Sequence, residues 1–129
     1  MSSAERGSAV IGVALAGMVV VLIVAIGAVG AGVAAYAKAA AAADAAALAA
    51  APVTFRPFGA TGTPTEEAAR FARANGARLV TCRCRVDRSW DTRTVDVTVA
   101  RTVSVIGIGD VTVRATSRAT FEPAALLEP

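Results

Sequence analysis

The residues in this chain able to do chemistry are few. There is no histidine, which removes imidazole bases, nucleophile partners and metal ligands together. Two cysteines, Cys82 and Cys84, stand one residue apart. They make neither a disulfide framework nor a four-ligand zinc site. Positions i and i+2 of an extended strand point the same way, with Cβ atoms about 6–7 Å apart at a rise near 3.3 Å. A disulfide needs Cβ atoms about 3.5–4.5 Å apart, so the two cannot bond to each other without breaking a strand. The expectation is two small buried hydrophobes; the sharper alternative is pairing of one of them with a partner chain outside the cell. The acids are dispersed, no G-x-S-x-G appears, and no glycine-rich phosphate loop leads to a lysine. Without a nucleophile–base pair the reading is not an enzyme, with no cofactor and no metal.

What remains is charge and surface. The segment after residue 51 carries eleven Arg and eight acids. Arg83, Arg85, Arg114 and Arg118 fall on one expected outward face and could meet lipid head groups or a polyanion. A solvated face is the simpler account, because Asp96 interrupts it and no aromatics interleave for base stacking, so no nucleic-acid partner is expected. Trp90, in the DRSWD turn, reads equally as a contact residue or as a cap over the sheet edge.

The elements that must carry these residues follow from patterning. The chain has 129 residues, 55% of them apolar, 18% charged and 5% aromatic, with net charge +3 and mean hydropathy +0.58. That is too apolar for a disordered chain and too short for a multidomain enzyme. Residues 1–7 form a polar leader. Residues 8–37 contain thirty positions without a charge, whereas about 20 apolar residues suffice to cross a bilayer core as a helix. VVVLIVAI at 19–26 has strand composition, but strands rarely exceed ten residues and only a helix satisfies its own backbone in lipid. A transmembrane helix over 9–34 is expected. A signal-peptide core is usually shorter, at about 7–15 residues, although Ala35-Tyr36-Ala37 fits a small-x-small cleavage pattern. Lys and Arg near the two ends nearly tie, so charge does not orient the span.

Residues 34–51 contain 14 Ala, the best helix former, and should continue the helix to Pro52, which ends it. Such a segment wants a neighbour, its own domain or another copy. Asp44 and Leu48 share a stripe, with Asp44 read as solubilising. Gly27/Ala31 and Ala28/Gly32 have small-xxx-small spacing and are candidates for close helix packing.

Residues 52–129 read as a small α+β domain. PVTFRPFGATGT (52–63) is a loop. Thr63, Pro64 and Glu66 spell an N-cap, a first helical position and a capping box. The helix shows a stripe of Ala68, Phe71, Ala72 and Asn75, with Phe71 as anchor, and ends at Asn75-Gly76. Three alternating segments make an antiparallel meander with one polar face. The inner sets are Val80, Cys82, Cys84 and Val86; then Val95, Val97, Val99, Val103 and Val105; then Val111, Val113, Ala115, Ala119 and Phe121. Arg101 falls on the inner face and needs a bulge or an edge position to excuse it. One sheet face should be covered by the 64–75 helix and the end of the Ala-rich helix. The fold class is therefore α+β, with a long N-terminal helix, a short helix and a three-stranded antiparallel meander.

A leader ending Glu5-Arg6-Gly7, then Ser8-Ala9-Val10 opening a membrane helix, then Asp44-Ala45-Ala46-Ala47-Leu48-Ala49-Ala50 in an Ala-rich run, resembles the TadE/TadG-like family. These are small pilin-like proteins of the Flp, or tight-adherence, pilus assembly system. Ala74 to Val80 (ANGARLV), followed by Cys82 and Val-Thr strands, is similar to short TadE-like proteins of high-GC actinobacteria. The resemblance implies a prepilin-type peptidase acting after Gly7, with Ser8 as first mature residue. It implies as partners the lipid bilayer and other pilin-like or assembly-system membrane proteins, copies of itself included. Proteins of this type usually carry Glu at the fifth mature position; here that position is Gly12. The expected placement is single-pass in the cytoplasmic membrane, N-terminus inside and residues 52–129 outside. The competing readings are a small secreted protein released near Ala37 and a single-pass anchored binding protein using its Arg face.

Overall fold

The computed structural model describes residues 3–55 and 62–127, with side chains from Val10 onward. Met1 and Ser2 of the leader, and 56–61 of the 52–63 loop, lie outside the described residues; Gly7 and Ser8 are described as helical backbone only. The order is α1 (Ser3–Val53), α2 (Pro64–Ala74), β1 (Arg78–Arg83), β2 (Arg93–Val105), β3 (Gly109–Phe121) and a 3-10 turn (Pro123–Leu127). The sheet runs β1-β2-β3, antiparallel throughout. This is the expected α+β layout of a long apolar helix, a short helix and a meander.

The chain forms two compact units, Met1–Val33 and Ala34–Pro129. In the first, every large apolar side chain from Val10 to Val33 is exposed. A large aliphatic side chain gains about 1.5–3 kcal/mol on leaving water. So much open apolar surface is compatible with hydrocarbon, and α1 is long and apolar enough to cross a membrane. Its helix starts at Ser3, ahead of the expected span, and runs one residue past Pro52. Pro52 sits in the last turn. Thr54, 1% exposed, then closes the end by donating from Oγ1 to the Ala51 carbonyl at 2.6 Å.

In the second unit the core is made of small residues. Ala39, Ala42, Ala43, Ala46, Ala47, Ala50 and Ala51 of α1 lie against Val95, Val97 and Val99 of β2, with Ala115 and Ala119 of β3 and Ala68 and Ala72 of α2. The α1 positions recur at i, i+3, i+4, i+7, the face of an amphipathic helix. Lys38, Ala41, Asp44 and Leu48 mark its open side. Asp44 does more than solubilise: its carboxylate accepts from the Ser117 hydroxyl, tying α1 to β3.

Helix α2 begins as its capping signals predict. Glu66 N–H donates to Thr63 Oγ1 at 3.2 Å and Thr63 N–H donates to Glu66 Oε2 at 2.7 Å. Its fully buried stripe is Ala68 and Ala72. Phe71, expected as the anchor, packs against the same core but stays half-buried, with the Arg70 guanidinium over its ring at 4.6 Å.

The first strand differs from expectation. It ends at Arg83 rather than Val86, and its ladder with β2 shifts between Leu79 and Thr81. Val80 is the extra residue of this bulge, so Leu79 takes the inner position opposite Val99. Cys82 then faces Val97, as expected. Val86 is 43% exposed, beyond the end of the strand.

Candidate functional site

The outer face of the sheet carries most of the expected surface residues in registered rows. Arg83, Asp96 and Arg118 are cross-strand neighbours. Arg118 holds Asp96 through Nε to Oδ1 at 2.6 Å and Nη2 to Oδ2 at 3.3 Å. That hydrogen-bonded guanidinium, helped by Arg83, keeps the Asp96 carboxyl below its ordinary range. The next row is Thr81, Thr98 and Thr116, with the last two hydroxyls 2.8 Å apart. The third is Arg78, Ala100 and Arg114. Ala100 is 1% exposed between those two arginines, whose alkyl stems suit such a position. A shallow groove runs over Thr81, Arg83, Asp96, Thr98, Thr116 and Arg118.

Of the expected contact residues, the structure therefore gathers Arg83, Arg114 and Arg118 on one face. Arg85 is exposed too, but lies past the end of β1. Arg78 joins the face and was not singled out from sequence; the bulge at Val80 is what brings it there, since strict alternation from Cys82 puts residue 78 inside.

Trp90 belongs to a second cluster. Phe55 is 7% exposed, with Trp90 edge-on at 4.9 Å and Phe121 at 6.3 Å. The Arg93 guanidinium lies 5.4 Å from the Phe55 ring and donates to the carbonyls of Asp87, Ser89 and Asp91. Trp90 thus caps the end of the core while remaining 49% exposed. Phe55 and Arg93 were missed from sequence; the one hint was Arg93 directly before an alternating strand.

Arg101 is explained by position. β1 pairs with β2 only as far as Ala100, so Arg101 begins the stretch of β2 whose β1 side is open. The edge alternative holds there, with no shift in the β2–β3 ladder. Its Nη1 donates to the carbonyls of Asn75 at 3.3 Å and Gly76 at 3.0 Å, at the C-terminal end of α2, where a cation opposes the helix dipole. Gly76 has φ +71°, and a Cβ there would meet Arg101 Nη1 at 2.5 Å.

The cysteine expectation is corrected. Cys82 and Cys84 form a disulfide with Cα atoms 5.3 Å apart. An extended i, i+2 pair spans about 6.6 Å; the bond is reached because the strand stops at Arg83 and leaves Cys84 outside the ladder. Both residues are partly buried against the core.

In the apolar segment, Gly27 and Ala31 are exposed, while Ala28 and Gly32 are half-buried. Among the described residues no three metal-ligating side chains come together. Compared with family models, curated proteins and solved structures, the chain matches none.

Proposed function

We propose that this chain is a membrane-anchored, pilin-like component of a Flp or tight-adherence type pilus assembly or secretion system. It acts by helix packing and protein contacts, without chemistry of its own. The observation that carries the reading is the division of labour within α1. Its first part is apolar on every side, and its later turns supply an alanine core face to a small α+β domain. A filament or assembly component needs that combination, an anchor able to pack with neighbours and a domain held on the same helix.

Two further observations support it. The Cys82–Cys84 disulfide suits a domain outside the cytoplasm, where disulfides persist. The Ala35-Tyr36-Ala37 match lies in unbroken helix with Ala35 only 4% exposed, which favours a retained anchor over release near Ala37.

N-terminal sequencing of the membrane-extracted protein tests the proposal. A start at Ser8 supports it. A start near Lys38 replaces it with secretion, and an intact Met1 leaves anchorage but removes prepilin-type processing.

A further inference from the structure

The β2–β3 hairpin reaches past the rest of the sheet. β1 accompanies β2 only to Ala100, and the ribbon continues through Val105 and Gly109. Its tip is Ile106-Gly107-Ile108, closed by the Ile108 N–H donating to the Val105 carbonyl at 3.1 Å. Gly107, at φ +84°, supplies the left-handed residue that such a turn requires. Nothing about the turn requires isoleucine. Turn positions favour Gly, Pro, Asn, Asp and Ser, yet Ile106 is 93% exposed and Ile108 65%. Side chains that break a local rule with no gain in packing are where function is to be sought.

The internal register of the second unit shows which end of it this tip occupies. Phe55 lies by Phe121, and Asp44 bonds Ser117. Moving from Phe55 back to Asp44 covers about 16 Å of helix. The matching step from Phe121 back to Ser117 covers about 13 Å of strand. The Ala-rich turns of α1 and strand β3 therefore run side by side in the same sense. Continuing that way, the helix reaches Ala34 and the strand reaches the tip. Ala34 is the residue through which this unit joins the apolar segment in sequence. From Ser117 the ribbon extends about 26 Å to Gly109, and from Asp44 the helix covers only about 15 Å to Ala34.

We infer that Ile106 and Ile108 insert into the interfacial region of the bilayer that holds the apolar segment, making the hairpin tip a second membrane contact. The occupant is lipid because the tip lies at the anchored end of the domain, is uncharged from Val105 to Gly109, and presents two aliphatic side chains to the open. The nearest acid, Asp110, accepts from the Ser104 hydroxyl on the outer face, so the contact calls for no anionic lipid. Two aliphatic side chains add modestly to binding beside a spanning helix. The inference rests on membrane anchorage and not on the pilin-like role.

The test uses the full chain in phosphatidylcholine vesicles carrying brominated acyl chains. In a Trp90→Phe background, Ile106→Trp places a reporter at the tip and Thr120→Trp places one at the far end of β3. Ile106 makes so little contact that its replacement leaves the fold intact. The Ile106→Trp variant should emit further to the blue and lose roughly half its emission to shallow bromines, since an interfacial side chain sits about 5–10 Å deep. The Thr120→Trp variant should lose none. Carbonate-resistant protein with equal, weak quenching at both sites overturns the tip contact alone. Protein released by carbonate overturns the anchorage and the tip contact together. Blue emission without bromine quenching, varying with the protein-to-lipid ratio, would mean that a second copy covers the tip, and that also overturns it.

Discussion

The two stretches of α1 belong to one unbroken helix and are both mainly apolar, yet they solve opposite problems. From Val10 to Val33 the helix carries Val, Ile, Leu and Met on all sides, and none of the large ones is covered. From Ala35 to Ala51 the buried positions are all Ala. Large branched side chains suit a fluid solvent that adapts to them. Methyl side chains suit a sheet that does not, because interiors are packed to crystal-like density and a small face allows close approach. One helix thus carries two surfaces that differ in side-chain volume more than in hydrophobicity.

A charge placed on each stretch should break that contrast most sharply. Ala43→Glu puts a carboxylate at a fully buried position. It should cost more than about 4 kcal/mol, the range reserved for buried unpaired charge and similar defects. Denaturant unfolding of the detergent-solubilised protein, followed by Trp90 emission, should show the domain already unfolded. Ala41→Glu, two residues away on the open side, should be nearly silent. If both behave alike, the alanine face is not the core.

The converse change is Ile23→Arg. An arginine at the centre of a membrane helix costs about 2.5–3.5 kcal/mol on insertion scales. The carbonate-resistant fraction should fall while the midpoint of Trp90-detected unfolding stays put. A lowered midpoint would show that the two stretches are not independent.

Smaller effects sharpen the account of what frames the domain. Thr63→Ala removes one half of a capping box and should lower stability by about 1 kcal/mol. Arg101→Met removes two bonds to the end of α2 and should cost about 1 kcal/mol. Because it also removes the buried Nε that lacks a partner among the described residues, the loss in chemical unfolding should be smaller than for Thr63→Ala.

The least effect concerns pH. Arg118 holds Asp96 below its ordinary value, so between the folded and unfolded values the folded chain binds fewer protons. The pair therefore stabilises above the ordinary carboxylate range, and this is lost as pH falls through the lowered folded value. Above pH of about 5 no dependence is expected. Arg118→Gln should move the Asp96 carboxyl titration, followed by NMR, up toward its ordinary value; an unmoved titration would assign the shift to another group.

Much of the domain was legible in sequence because its signals are local. Thr63, Pro64 and Glu66 can cap a helix in only one way, and Val95, Val97 and Val99 alternate with polar residues regardless of what covers them. The outer Arg83, Arg114 and Arg118 follow from the same alternation. Val80 and Arg78 did not follow, since the bulge between Leu79 and Thr81 moves the residues before it by one position relative to Cys82 and nothing in LVTCRCRV announces it. The disulfide did not follow for a different reason: alternation alone does not show that the strand ends between the two cysteines.

Thirty consecutive uncharged positions determine by themselves that α1 is a helix suited to lipid, because both length and backbone satisfaction are properties of the segment alone. Alternation likewise determines three strands with one polar face. Which side of the alanine run is buried, why Arg101 points inward and where Trp90 rests were decided only in three dimensions. A run of identical alanines carries no pattern to read, and the partners of Arg101 and Trp90 lie on other elements, brought near by the closing of the sheet and helices around one core.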